Sequence, residues 1–287
     1  MIYILKSESL TVSVSSKGAE LISAKDASGK EYVWQADKRY WGRHAPILFP
    51  VCGRLLDSKY TLGEKEYNMG AHGFARDAEF AVTALSESEI TLEFSANEET
   101  LSVYPFDFTL TVNYFLKEST LVMSIDVKNN GSSVMPYMLG WHPGFTIDGK
   151  IDDYTLTFSD GEKAKRHHMT SNLFLEPVAV DFPLENGVYL PTESEIYEKD
   201  TVVLYEVGTE AILSRGGDCK LKMKQSDKLP YFAIWKAPYT EAEYICLEPW
   251  SDIPSDGVTP ECFDTRKMSR LFAEGTEHYY FSVEFIN

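Results

Sequence analysis

Two of the six histidines sit in segments unlike their surroundings, Ala71-His72-Gly73-Phe74-Ala75-Arg76 and Gly140-Trp141-His142-Pro143-Gly144-Phe145. An imidazole gives or takes a proton near neutral pH, so both rings are candidates for acid–base chemistry. Pro143 drives His142 towards an extended backbone and interrupts strand pairing, while Gly73 and Gly144 let another backbone or a ligand approach closely. The plainer alternative is that each ring only caps its turn. Glu248 is the third unusual position, because Tyr244-Ile245-Cys246-Leu247-Glu248-Pro249-Trp250 sets one carboxylate in an apolar, aromatic run. Burying it unpaired costs several kcal/mol, so it either pairs with Arg54 or a histidine or lines a wet cavity and has a task. Arg54 follows an apolar run through Gly53 and suits a carboxylate or several sugar oxygens. Trp235 and Trp250 offer flat rings that can stack on the apolar face of a pyranose or simply fill the core.

The elements that must hold these residues are strands. Apolar and polar residues alternate in short runs at 10–14, 80–85, 90–94, 108–115 and 121–127, the period of a half-buried strand. Ser86-Glu87-Ser88-Glu89, Lys117-Glu118-Ser119 and Asn129-Asn130-Gly131 read as the turns of an antiparallel meander. After a less regular stretch over 163–199, strands resume at 202–205, 221–224, 231–235, 244–250 and 279–285. The one helical candidate, 263–272, is short and charged. So many strands cannot hide their apolar faces in one flat sheet, which predicts a large antiparallel β-sandwich with little helix, formed by residues 1–287 as one domain.

The formal net charge of −17 argues against nucleic acid or an anionic membrane as partner. The four cysteines, Cys52, Cys219, Cys246 and Cys262, show neither CxxC spacing nor a disulfide framework. No basic leader precedes an apolar run and no run reaches membrane-spanning length, so a cytoplasmic monomer or homodimer is expected.

Five segments together resemble the aldose 1-epimerase family, in particular its LacX-like bacterial branch: His44-Ala-Pro-Ile-Leu-Phe-Pro50 leading to Gly53-Arg54; His72-Gly-Phe-Ala-Arg76; Tyr104-Pro-Phe-Asp-Phe-Thr-Leu-Thr-Val-Asn-Tyr114; Gly140-Trp-His-Pro143; and Leu247-Glu-Pro-Trp250. The resemblance runs nearly end to end. It implies a galactose mutarotase-like β-sandwich in which Arg54 binds sugar hydroxyls, His72 bonds near the ring oxygen, His142 is the general acid and Glu248 takes the anomeric proton. Arg76, Trp235 and Trp250 are further candidates for substrate binding. Better-studied galactose mutarotases carry His-Gly-Gly where this chain has His72-Gly73-Phe74. They also use an aspartate of the second half that has no evident counterpart here. The implied reaction needs an ionised Glu248 and a protonated His142, gives a bell-shaped pH profile, and requires no metal or organic cofactor.

Three other readings compete. Two histidines and a glutamate are also a catalytic zinc set, although no HExxH spacing supports it. A sugar-binding domain would use the same tryptophans without turnover. Lys38, Arg39, Arg43, His44 and Arg54 form a basic island that could hold the phosphate of a hexose 6-phosphate. The acidic charge of the chain favours a free aldohexose instead. His167, His168 and His278 are read as surface or structural residues.

Overall fold

Alternation becomes register in the strand Thr120–Asn129, where Leu121, Met123, Ile125 and Val127 are buried and the residues between them face outwards. It pairs with Phe108–Lys117, which pairs with Glu89–Ser95, which in turn pairs with Ala81–Leu85. This is the expected meander. Its other edge continues through Thr276–Phe285, Asp218–Gln225, Glu210–Arg215, Tyr154–Phe158 and Val188–Tyr189, completing a nine-stranded antiparallel sheet. The computed structural model describes residues 1–170, 172–176 and 178–286.

A second, eight-stranded sheet runs Val180–Asp181, Lys165–His167, Thr201–Tyr205, Tyr231–Trp235, Tyr244–Trp250, Gly140–Trp141 and Ile47–Leu48, with Gly144–Thr146 also paired to Tyr244–Trp250. Aromatic side chains interlock between the two sheets. Trp141 meets Phe281 with ring centroids 5.5 Å apart, Phe158 meets Phe232 at 5.1 Å, and Phe145 meets Phe285 at 6.4 Å. These contacts make the sheets faces of one sandwich; the main apolar core runs from Leu5 to Phe285, and a smaller cluster gathers Ala237, Ala242, Tyr244 and Cys246. A three-stranded sheet, Ile2–Lys6, Leu10–Ser15 and Leu21–Asp26, adds to it.

Helix is confined to short pieces, of which the α-helices are Glu98–Val103 and Glu193–Lys199. Asn97 and Thr100 close the first with reciprocal side-chain to backbone bonds, and Thr192 caps the second. No helix of the described residues is long and apolar enough to cross a membrane.

The helical candidate over 263–272 does not form a helix. Phe263 stacks on Tyr60 at 3.8 Å, and Ser269–Leu271 pairs as a strand with Met135–Tyr137, so long-range packing outweighs local pattern. Asn129, read as part of a turn, is buried and donates from Nδ2 to the carbonyls of Ser133, Leu271 and Phe272, tying the meander to that strand.

Gly73 is the tightest backbone crossing near the histidines. Its φ is +68°, and a Cβ there would lie 2.1 Å from the carbonyl oxygen of Phe49. Strain and collision act together, so Gly73→Ala is expected to lower stability by roughly 2–4 kcal/mol. A denaturant midpoint unchanged from wild type would contradict this.

Candidate active site

Tyr244–Trp250 is a central strand of the eight-stranded sheet, and all seven of its side chains are buried. Period-two geometry sends Tyr244, Cys246, Glu248 and Trp250 to one face. Gly140–Trp141 pairs beside it, and the Pro143 break carries His142 over the same face. There His142 Nε2 lies 3.3 Å from Glu248 Oε2. The contact is not aligned as a hydrogen bond: both Glu248 oxygens and His142 Nδ1 are buried without a hydrogen-bond partner among the described residues.

These two residues line a cavity of about 230 Å³ with Trp41, Arg54, His72, Asp200, Trp235 and Trp250. His72 adopts φ +63°, and its Nδ1 accepts the Gly53 N–H at 3.1 Å. That bond leaves the ring proton on Nε2 as a donor. Burial, reinforced by His142, holds the His72 pKa well below the ordinary value, so the ring is neutral. Gly53 itself packs on Pro254, and Arg54, which follows it, is exposed.

The cavity thus unites Arg54, His72, His142, Trp235, Glu248 and Trp250 from five separated stretches of sequence. Arg76 is not among the lining residues. Its guanidinium donates to the Ala71 carbonyl at 2.6 Å and supports the turn that carries His72. The basic island is not a cavity feature either: Arg39 pairs with Asp37, and Arg43 with Asp77. Of its members only Arg54 lines the cavity.

Two lining residues carry no local sequence signal. Asp200 follows the helix Glu193–Lys199 at φ +61° and accepts from the Trp235 indole N–H at 3.3 Å. It is an aspartate of the second half of the chain. Trp41 stacks on the His142 ring at 4.7 Å and 24°, while Trp235 meets the same ring edge-on at 5.7 Å. This clamp fixes the imidazole plane beside Glu248. Loosening such a group by about an ångström costs up to roughly 10²-fold in rate. Trp41→Ala is therefore expected to lower kcat/KM about tenfold to a hundredfold while Trp41→Phe retains most of it; equal activity in both variants would exclude a positioning role.

Electrostatics correct one expectation. Burial, helped by the Asp200 carboxylate, raises the Glu248 pKa well above the carboxylate range. Burial also pulls His142 down to about 3. A solvated pair would rest as carboxylate and imidazolium, but in this enclosure the pair shares one proton with the neutral arrangement favoured. The Trp250 indole N–H lies close enough to favour the ionised carboxylate, yet is not aligned as a hydrogen bond to it.

A family model described as aldose 1-epimerase matches residues 1–256. The plasmid-encoded protein LacX of Lactococcus lactis subsp. lactis is 32% identical over 261 residues, covering 87% of each chain. Among solved structures, a galactose mutarotase-like protein from Lactobacillus casei ATCC 334 has a TM-score of 0.93 at 31% identity, with 100% of both chains covered. A galactose mutarotase related enzyme from Lactobacillus acidophilus has a TM-score of 0.91 at 28% identity, covering 100% of this chain and 98% of that one.

Proposed function

The chain belongs to the aldose 1-epimerase family and is a sugar isomerase, and from that premise we propose that it interconverts the α and β anomers of a free aldohexose such as galactose or glucose. One observation carries the reading: Glu248 is 1% exposed and faces the cavity, yet neither of its oxygens has a hydrogen-bond partner among the described residues. So costly an arrangement fits a carboxylate whose partner is a substrate hydroxyl.

Glu248 takes the proton of the C1 hydroxyl while His142 delivers one to the ring oxygen. The C1 to ring-oxygen bond breaks and leaves an open-chain aldehyde. Rotation about C1–C2 presents the other carbonyl face. The two residues, with proton states exchanged, then close the ring. At the start the pair's single proton must sit on His142. Sugar hydroxyls that donate to the Glu248 oxygens, with Arg54 nearby, favour that ionised arrangement once the cavity is filled. His72 offers its Nε2–H near the ring oxygen. Arg54 and Asp200 hold the remote hydroxyls, and Trp235 and Trp250 flank the pyranose. Residues 1–287 act as one unit, consistent with the continuous core.

The cation count favours an uncharged sugar. Among the described residues Arg54 is the only lysine or arginine that lines the cavity, whereas a phosphate dianion is usually held by several donors of this kind. Polarimetry on fresh α-galactose, α-glucose and their 6-phosphates tests this. Free sugars are expected to be turned over with the higher kcat/KM; a preference above tenfold for a phosphorylated sugar would overturn the free-sugar reading.

A further inference from the structure

The acid–base pair has a third neighbour that proton transfer does not use. Cys246 lies two residues before Glu248 on the same strand and therefore on the same face, fully buried in a small cluster against which the cavity-lining Trp41 and Trp235 pack. One ligand atom each from Cys246, His142 and Glu248 lies within 4.8 Å of the other two. We propose that these three side chains form an inhibitory site for a thiophilic divalent cation of the zinc or cadmium class, entered through the sugar cavity.

The donor set is sulfur, nitrogen and oxygen, a combination that suits borderline-soft d¹⁰ cations rather than magnesium or calcium. In tetrahedral coordination such donors stand roughly 3.3–3.6 Å apart. The His142–Glu248 separation of 3.3 Å already meets that spacing. The thiol has at most roughly 1.2–1.5 Å to close. Both Glu248 oxygens are buried and unpartnered, so an ion gains ligands without breaking internal hydrogen bonds. The cavity side leaves a fourth position for water. Binding displaces the Cys246 S–H proton and the proton shared by the pair, and both pass to solvent. Because the ion and the sugar both require Glu248 and His142, the two exclude each other.

The inhibitory consequence rests on the proposed acid–base pair; the binding itself does not. The test therefore has two independent readouts on the full-length protein. Cobalt(II) titration is expected to produce a sulfur-to-cobalt charge-transfer band at one equivalent, lost in Cys246→Ser and retained in Cys262→Ser. Zinc is expected to inhibit mutarotation competitively with sugar, and the zinc concentration for half-inhibition should rise at least tenfold in Cys246→Ser, whose basal activity is retained. X-ray absorption of the zinc-loaded wild type should find one sulfur in the first shell, which keeps the test decisive if the variant does not fold. No sulfur ligand, a band lost with Cys262 instead of Cys246, or equal zinc inhibition of wild type and Cys246→Ser would each overturn the site. A cobalt band without mutarotation of any sugar would support the site and refute the functional reading.

Discussion

Glu248→Gln is expected to lose about 10²- to 10⁴-fold in kcat while gaining thermal stability, and the gain should grow as pH rises. The amide keeps the shape of the side chain but cannot accept the anomeric proton, so chemistry fails without loss of packing. The stability change follows from burial. Because the folded protein holds the Glu248 proton well above the ordinary value of 4.5, the unfolded chain releases it first. Between 4.5 and the raised value the native state binds more protons than the unfolded state, so rising pH destabilises wild type. Glutamine does not titrate and removes that slope. The melting temperature of the variant should exceed wild type by a few degrees at pH 8 and by less at pH 5. A variant less stable than wild type at pH 8 would show that Glu248 has an internal partner.

The second large effect belongs to His142. His142→Gln is expected to lower kcat by about 10²- to 10³-fold, and the wild-type pH profile should be broader than ordinary side chains would give. A solvated glutamate and histidine, at 4.5 and 6.5, would confine the one-proton form of the pair to a narrow optimum between those values. Burial moves both limbs outwards. A second proton would create a buried cation, and loss of the only proton a buried anion, so the acid limb falls towards the His142 value of about 3 while the alkaline limb climbs with Glu248. The bell expected from sequence thus becomes a plateau across neutrality. A sharp optimum between pH 4.5 and 6.5 in kcat/KM would mean that the pair is wet. In stability the two residues act oppositely: neutral buried His142 adds a component present above 6.5 and lost as pH falls towards 3.

What the sequence disclosed follows the range of the forces involved. Alternation exposed the meander because period two is local, and Leu121, Met123, Ile125 and Val127 mark one face without reference to anything distant. His72, His142 and Glu248 stood out because glycine, proline or an apolar run surrounds each of them. Trp41 and Asp200 did not. Trp41 matters through a ring 101 positions away, and Asp200 reaches the cavity only because the helix Glu193–Lys199 delivers it there. Arg76 shares a motif with His72, but its turn points the guanidinium to the Ala71 carbonyl. Strands such as Tyr154–Phe158 and Glu210–Arg215 owe their state to pairing partners, for Tyr154–Phe158 joins the sheet between Val188–Tyr189 and Glu210–Arg215. The resting charge of the Glu248–His142 pair is hidden from the sequence for a related reason, since spacing along the chain does not report how completely a pair is enclosed.

The proposed task of Glu248 is to move the anomeric proton. Freshly dissolved α-galactose should be followed by polarimetry at rising concentrations of wild type and Glu248→Gln, with sugar binding measured on both. The mutarotation rate is expected to increase linearly with wild-type enzyme and to stay at the spontaneous value with the folded, sugar-binding variant; acceleration by the variant comparable to wild type would rule out Glu248 as the base.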